Sequence, residues 1–309
     1  MSGPDEEKPL TAIDIYPTLD KLSFGCLKLI RENQELHGIS HSNYTIYREY
    51  CNNRLRRIRK GLRLTKRRRP INHERLMLDN LPAKVEVLSD NRVLEYRLIE
   101  AERAWARAME IRDANDEENE LRPFHHMLRR WRKAVRLADE FLENCGKIGD
   151  NRTCLEAEAY VCQMKGNYMM SVEKFESALE LLLRAKTIYE QLGKVGERDV
   201  REVCRFRSHE IEPSIRYCRY QLSGSEKDRS EIISATTGNA SLNKKLEKLI
   251  AEERKKHSES MTEVEWMDTT ITIRSDQVRT ALVSVQKTRF ELNKLSIQPL
   301  SSSSSSNNN

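Results

Sequence analysis

Apolar residues recur at helical spacing through most of the chain, and the breaks between those runs define its elements. Leu19, Leu22, Cys26, Leu29, Ile30 and Leu36 form a first stripe, which Gly38 ends in the usual place beyond a helix C-terminus. A second helix is predicted over 42–64, with Pro70 as the furthest point it can reach. A third starts at Asp90 and carries Leu94, Leu98, Ala101, Trp105 and Ala108 on one side. Beyond an acidic loop at 113–120, a fourth is predicted over 121–145, where Gly146 stops it. Over 153–192 two helices are predicted to meet at a polar turn near Asn167. Gly166, Ala178, Leu182 and Ala185 stand there at the relative spacings of the small and packing positions of a tetratricopeptide hairpin, although a plain helical hairpin fits them equally well.

Helix resumes near Val200, is reset at Pro213 and continues through Tyr217, followed by a loop over 223–241 and another helix over 242–256. The period then changes. Val264 and Trp266 alternate with polar neighbours, as do Ile271 and Ile273, which predicts a small β-hairpin over 263–274. A last helix carries Val278, Leu282, Val285, Leu292 and Leu295. The expected fold class is all-α: a tetratricopeptide-like helical array with a small β-hairpin insertion. Its expected organisation is a disordered N-terminus over 1–12, one helical domain over 13–298 and a low-complexity Ser/Asn tail over 299–309.

Charge adds the functional signal. The net formal charge is +6, but residues 48–75 alone carry +10 and residues 121–136 another +6, which leaves −10 for the remainder. On a helical wheel, Tyr44, Tyr47, Cys51, Leu55, Ile58 and Leu62 share one narrow stripe. Arg56, Arg59, Lys60 and Arg63 fall on the opposite face with Arg48 beside them. Like charges four residues apart, such as Arg56 with Lys60, disfavour that helix by roughly 0.2–0.5 kcal/mol per pair. A bound polyanion reverses the sign of this effect, so the arginines beyond Gly61 are expected to order on a ligand. The second cluster repeats the arrangement: Leu121, Phe124, Leu128, Trp131, Val135 and Leu142 make a stripe flanked by Arg122, Arg129, Lys133 and Arg136.

Arginine dominates lysine in the first cluster, and guanidinium forks suit bidentate phosphate contacts and stacking on unpaired bases. No zinc finger, basic zipper or helix-turn-helix reader is legible, and composition alone does not decide between RNA and DNA. An arginine helix enters the major groove of A-form RNA only where a bulge or loop has widened it, so a distorted duplex is the expected RNA target. Two other readings of the basic run stay open: an anionic membrane surface or acidic protein, and a solvated or nuclear-import role for 66–70. No apolar run approaches the ~20 residues that a bilayer span needs, so membrane insertion is not expected. The acidic, polar start of the chain is unlike a signal peptide.

Nothing points to catalysis. The seven cysteines lack C-x-x-C spacing and read as reduced core thiols, and no histidine pair sits with carboxylates at metal-ligand spacing. P-loop, nucleophile-elbow and dinucleotide fingerprints are missing as well, so no enzyme, cofactor or metal is expected.

A series of local strings carries a resemblance. It begins with His37-Gly38, Tyr47-Arg48-Glu49-Tyr50-Cys51, the run from Arg54 to Lys60, and Ala101-Glu102-Arg103-Ala104-Trp105. Arg132-Lys133-Ala134, Leu155-Glu156-Ala157, Lys186 to Glu190, Ile215 to Cys218 and Glu263 to Trp266 continue it. In this order the chain resembles the family of 68-kilodalton RNA-binding subunits of the eukaryotic signal recognition particle. The resemblance implies a helical scaffold that binds and bends the particle RNA near its central junction, through an arginine-rich helix inserted into an opened major groove. Such a scaffold supports co-translational targeting of secretory and membrane proteins to the endoplasmic reticulum.

The residues expected to meet RNA are Arg48, Arg54, Arg56, Arg57, Arg59, Lys60, Arg63, Lys66, Arg67, Arg68 and Arg69, with Arg129, Arg130, Lys133 and Arg136 in the second cluster. Expected partners are the particle RNA, other particle proteins including a large tetratricopeptide subunit, and indirectly the ribosome. The docking region for the large subunit is expected to be missing from this chain. The expected location is the cytoplasm, with nuclear or nucleolar passage during assembly. The alternative is a tetratricopeptide-type protein-interaction adaptor that uses its basic run for nuclear import.

Overall fold

A computed structural model describes residues 20–62, 90–115, 120–195 and 198–222, with short stretches between 244 and 285. The chain divides into two compact units, Met1–Lys245 and Leu246–Asn309. Seven helices build the described part of the first: α1 (Cys26–Leu36), α2 (Tyr44–Gly61), α3 (Arg92–Asn115), α4 (Leu121–Ile148), α5 (Asn151–Ser171), α6 (Phe175–Val195) and α7 (Arg198–Gln221). From α2 onward each packs against the next, while α1 lies on α5 and α7.

The expected array with a β-hairpin insertion is corrected here. The first unit is an all-α bundle, with no β-strand among its described residues and therefore no hairpin inserted into it. Two four-residue strands, Glu263–Trp266 and Thr269–Thr272, fall in the second unit as an antiparallel pair that sets Val264 opposite Ile271. Alternating polarity reports local geometry only, so it does not say which unit holds such a segment.

Several boundaries also move. The first helix begins at Cys26, because Leu22 is drawn into an extended bridge with Gly149. The Leu22 N–H donates to Ile148 at 2.8 Å, and the Leu22 carbonyl accepts from the Asp150 N–H at 2.9 Å. Asn167 lies inside α5; the chain turns at 172–174, where Glu173 takes a left-handed conformation at φ +62°. Pro213 sits within one continuous α7 and is exposed. Close approach of α5 and α6 needs Gly166, since a Cβ there would come within 2.8 Å of the Leu182 side chain.

A buried polar hub ties the bundle together around Glu102 of α3, which is 1% exposed. Its carboxylate accepts from the hydroxyl of Tyr47 (α2) at 2.8 Å, from that of Tyr160 (α5) at 2.7 Å and from the amide of Gln34 (α1) at 2.9 Å. The Gln34 carbonyl in turn accepts from Arg207 of α7 at 3.1 Å. Burying a carboxylate is unfavourable unless its lone pairs are satisfied, and here neighbouring helices satisfy them. Tyr47 is thereby fixed in the helix that carries the first basic cluster.

Candidate nucleic-acid interface

Asn43 caps α2, its side-chain oxygen accepting from the Ile46 N–H at 3.1 Å. Tyr47, Cys51, Leu55 and Ile58 then follow at three- and four-residue spacing, all buried, so one face of the helix is committed to the core. Arg59 and Lys60 stand in its last turn, where cations complement the helix dipole. Gly61 ends it and leaves room for the Arg92 guanidinium, which a Cβ there would meet at 2.5 Å.

The arginines of α2 fall into two sets. Arg48 pairs with Glu110 at 2.7 Å, and Arg54 hydrogen-bonds Glu95 through Nη2 at 2.9 Å; both carboxylates belong to α3. Arg59 reaches the Tyr96 hydroxyl of α3 at 3.2 Å and places its guanidinium 5.5 Å from that ring. These three line the seam between the helices. Arg56, Arg57 and Lys60 are exposed. Among the described residues no carboxylate pairs with them, and the one hydrogen bond seen is from Arg56 to Asn53 at 3.5 Å. Arg63, Lys66, Arg67, Arg68 and Arg69 lie outside the described residues.

Electrostatics follow this division. Hydrogen bonding to Glu95 raises the pKa of Arg54 above its usual value, with burial opposing. Burial alone would raise that of Glu110, but hydrogen bonds from Arg107 and Arg48 outweigh it and hold the carboxyl below the usual range. Tyr96 is pushed up to about 12, mainly by burial and then by Glu100.

In α4 the core-facing stripe is rotated from the expected one. Met127, Trp131, Ala134, Ala138 and Phe141 are buried, whereas Leu121 is 76% exposed and Phe124 37%. Arg129, Arg130 and Arg136 remain exposed. Lys133 is half-buried, and its pKa is lowered by burial first and then by Arg103, with Glu100 opposing and Arg130 and Arg136 adding to the effect. Arg103 of α3 also donates to Asn52 of α2 at 3.3 Å. It therefore joins the two basic clusters, although it lies outside both runs of charge in the sequence. Its signal is weak: Arg103 and Arg107 are one helical turn apart inside a helix that otherwise reads as core.

All seven cysteines are free thiols, six of them buried, and burial pushes Cys204 up to about 12. Among the described residues there is no His/Cys/Asp/Glu group suited to a metal ion. Nor is any described helix long and apolar enough to cross a membrane.

Residues 39–309 match the family described as "RNA-binding signal recognition particle 68". The chain is 32% identical to signal recognition particle subunit SRP68 of Drosophila melanogaster, over 93% of this chain and 47% of that protein. It is 33% identical to the Dictyostelium discoideum subunit of the same name, over 71% and 35% respectively. The chain thus spans about half the length, or less, of the curated relatives it matches. Among solved structures, the SRP68-RBD from Chaetomium thermophilum aligns with a TM-score of 0.53 at 22% identity, covering 65% of this chain and all of that one, which is a likeness of fold. With the family matched over most of its length, the chain belongs to the RNA-binding signal recognition particle 68 family.

Proposed function

We propose that this chain is an RNA-binding scaffold of the signal recognition particle, gripping structured particle RNA through the open face of α2. One observation carries the reading. The helix is docked by an apolar spine, while Arg56, Arg57 and Lys60 face outward with no carboxylate partner among the described residues. A row of cations held apart from acids on a fixed backbone gains most from a polyanion, because neutralising phosphates releases their condensed counterions. Arg63 and Lys66 to Arg69 continue the row in sequence, and Arg129, Arg130 and Arg136 supply a second line on α4. Arg48, Arg54 and Arg59 belong to the same interface as the residues that hold α2 on α3. The chain's part in targeting is binding and bending RNA, with no catalytic step. Work beside a large partner subunit and the ribosome, and nuclear or nucleolar passage before cytoplasmic function, belong to the same proposal.

The test is a titration of particle RNA at several salt concentrations. Replacing Arg56, Arg57 and Lys60 together by Gln is expected to weaken binding about 100-fold near physiological salt and to make the logarithmic salt slope shallower by about 2–3. The thermal midpoint should not move. Unchanged affinity in that variant would refute the assignment.

A further inference from the structure

Beside the open cations of α2 stands an aromatic feature that charge does not account for. His37, at the C-terminus of α1, stacks on Tyr50 of α2 with ring centroids 3.7 Å apart and planes 18° from parallel. Tyr50 in turn lies 6.2 Å from Tyr47 at 21°. Tyr47 is the innermost ring: it is buried, meets Trp105 edge-on at 6.4 Å and is tied to Glu102. Three roughly parallel rings thus run outward from the core, and the innermost is immobilised.

The outer end is held as firmly. Asn33 accepts from the Tyr50 hydroxyl at 2.7 Å through its side chain and from the His37 N–H at 3.1 Å through its carbonyl. The residue after His37 is Gly38 at φ +100°, where a Cβ would come within 3.0 Å of the Asn43 carbonyl. Only glycine adopts that turn without strain, so the backbone sets where the imidazole lies. His37 and Tyr50 are nonetheless only half-buried. Arg57, exposed on the same side, lies close enough that its charge, after burial, lowers the pKa of His37. The site therefore offers a flat ring whose charged form is disfavoured, within the field of a guanidinium.

A phosphate alone has no use for such a ring, and a regular duplex cannot reach it with a base. The ligand that suits both groups is an unpaired nucleotide, its base on the imidazole and its phosphate on Arg57. We infer that the His37–Tyr50 stack is a base-stacking site for one unpaired nucleotide of the bound RNA, a reading that rests on the proposed RNA-binding function.

Binding of signal recognition particle RNA to three proteins tests it: the unaltered chain, His37→Ala and His37→Trp. His37→Ala is expected to weaken binding about 5- to 150-fold, the range for loss of one base–aromatic stack, while the salt slope stays the same because no phosphate contact is lost. His37→Trp, which restores a larger ring, should recover the affinity. Abasic replacement of the unpaired nucleotides one at a time should then find a position that weakens the unaltered chain and leaves His37→Ala unaffected. Equal affinity of His37→Ala and the unaltered chain would overturn the inference, as would a slope shallower by about one. A packing role would instead lower the thermal midpoint of both variants and leave no abasic position selective, which also overturns it. If the unaltered chain has no salt-dependent affinity for the RNA, the failure lies with the RNA-binding proposal itself.

Discussion

Helices α2 and α4 both carry dense positive charge, yet they expose it by opposite routes. Helix α2 packs mainly on α3, so its apolar spine occupies one face and its cations divide between the α3 seam and solvent. Helix α4 is packed on both α3 and α5, and its buried stripe includes Met127, Trp131, Ala134, Leu137, Ala138 and Phe141. What remains for Arg129, Arg130 and Arg136 is a strip along the outside, with Lys133 partly drawn in beneath it. The lesson is that a cation's neighbour matters more than its count. Helix α3 both anchors α2 and, through Glu95 and Glu110, neutralises two of its arginines.

The largest expected effect tests that division within α2 itself. Arg54→Gln leaves Glu95, whose side chain is 6% exposed, without its guanidinium. Removing one partner of a buried pair costs about 3–5 kcal/mol, and solvent screening at Arg54, itself 34% exposed, brings the expectation to about 1–3 kcal/mol. The thermal midpoint should fall by at least a few degrees, while the salt slope of RNA binding at low temperature stays unchanged. The reverse pattern, a shallower slope at constant midpoint, would move Arg54 from the seam to the phosphate-binding set.

How much of this could be read in advance depends on how many neighbours each helix has. The spine of α2 was legible because a helix buried on one side keeps its period, and the structure buries Tyr47, Cys51, Leu55, Ile58 and Leu62 as the wheel requires. Helix α3 defeats the same method. Glu95, Arg97, Glu100 and Glu102 are all buried on it, and a charged residue in a sequence reads as solvated until its tertiary partner is known. That is why the wheel groups Arg59 with Arg56 and Lys60, although Tyr96 holds it in the seam, and why Arg103 escapes notice. Helix α4 has its buried stripe rotated from the one in the pattern, and Leu121 and Phe124, in its first turn, look like core in the sequence and are exposed in the fold. The turn at Glu173 had no glycine to announce its left-handed backbone.

A smaller effect is expected from the second helix. Replacing Arg129, Arg130 and Arg136 together by Gln should weaken RNA binding about tenfold and make the salt slope shallower by about one, roughly a third to a half of the change expected for the open face of α2. Exposed side chains along a solvated strip contribute mainly long-range attraction, and Arg136 already has a loose intrahelical partner in Glu140 at 3.8 Å. The contrast between the helices would collapse if the α4 variant lost as much affinity as the α2 variant.

The smallest effect isolates the clamp at the N-terminal half of α2. Glu110 titrates below its ordinary value of 4.5 when folded, because Arg107 and Arg48 outweigh the burial that would raise it. An acid whose pKa is depressed by folding stabilises the fold above its unfolded pKa, and that stability is lost as pH falls through the folded value. Glu110→Gln should therefore be less stable than the unaltered chain at pH 7, by up to about 1 kcal/mol for so partly exposed a cluster. The gap in thermal midpoint should narrow as pH falls below the ordinary value of 4.5 and close once the unaltered carboxyl is itself neutral. A gap that does not narrow with falling pH would mean that Glu110 acts through its shape or a neutral hydrogen bond. Arg48 would then be free to serve phosphate, and the seam would begin only at Arg54.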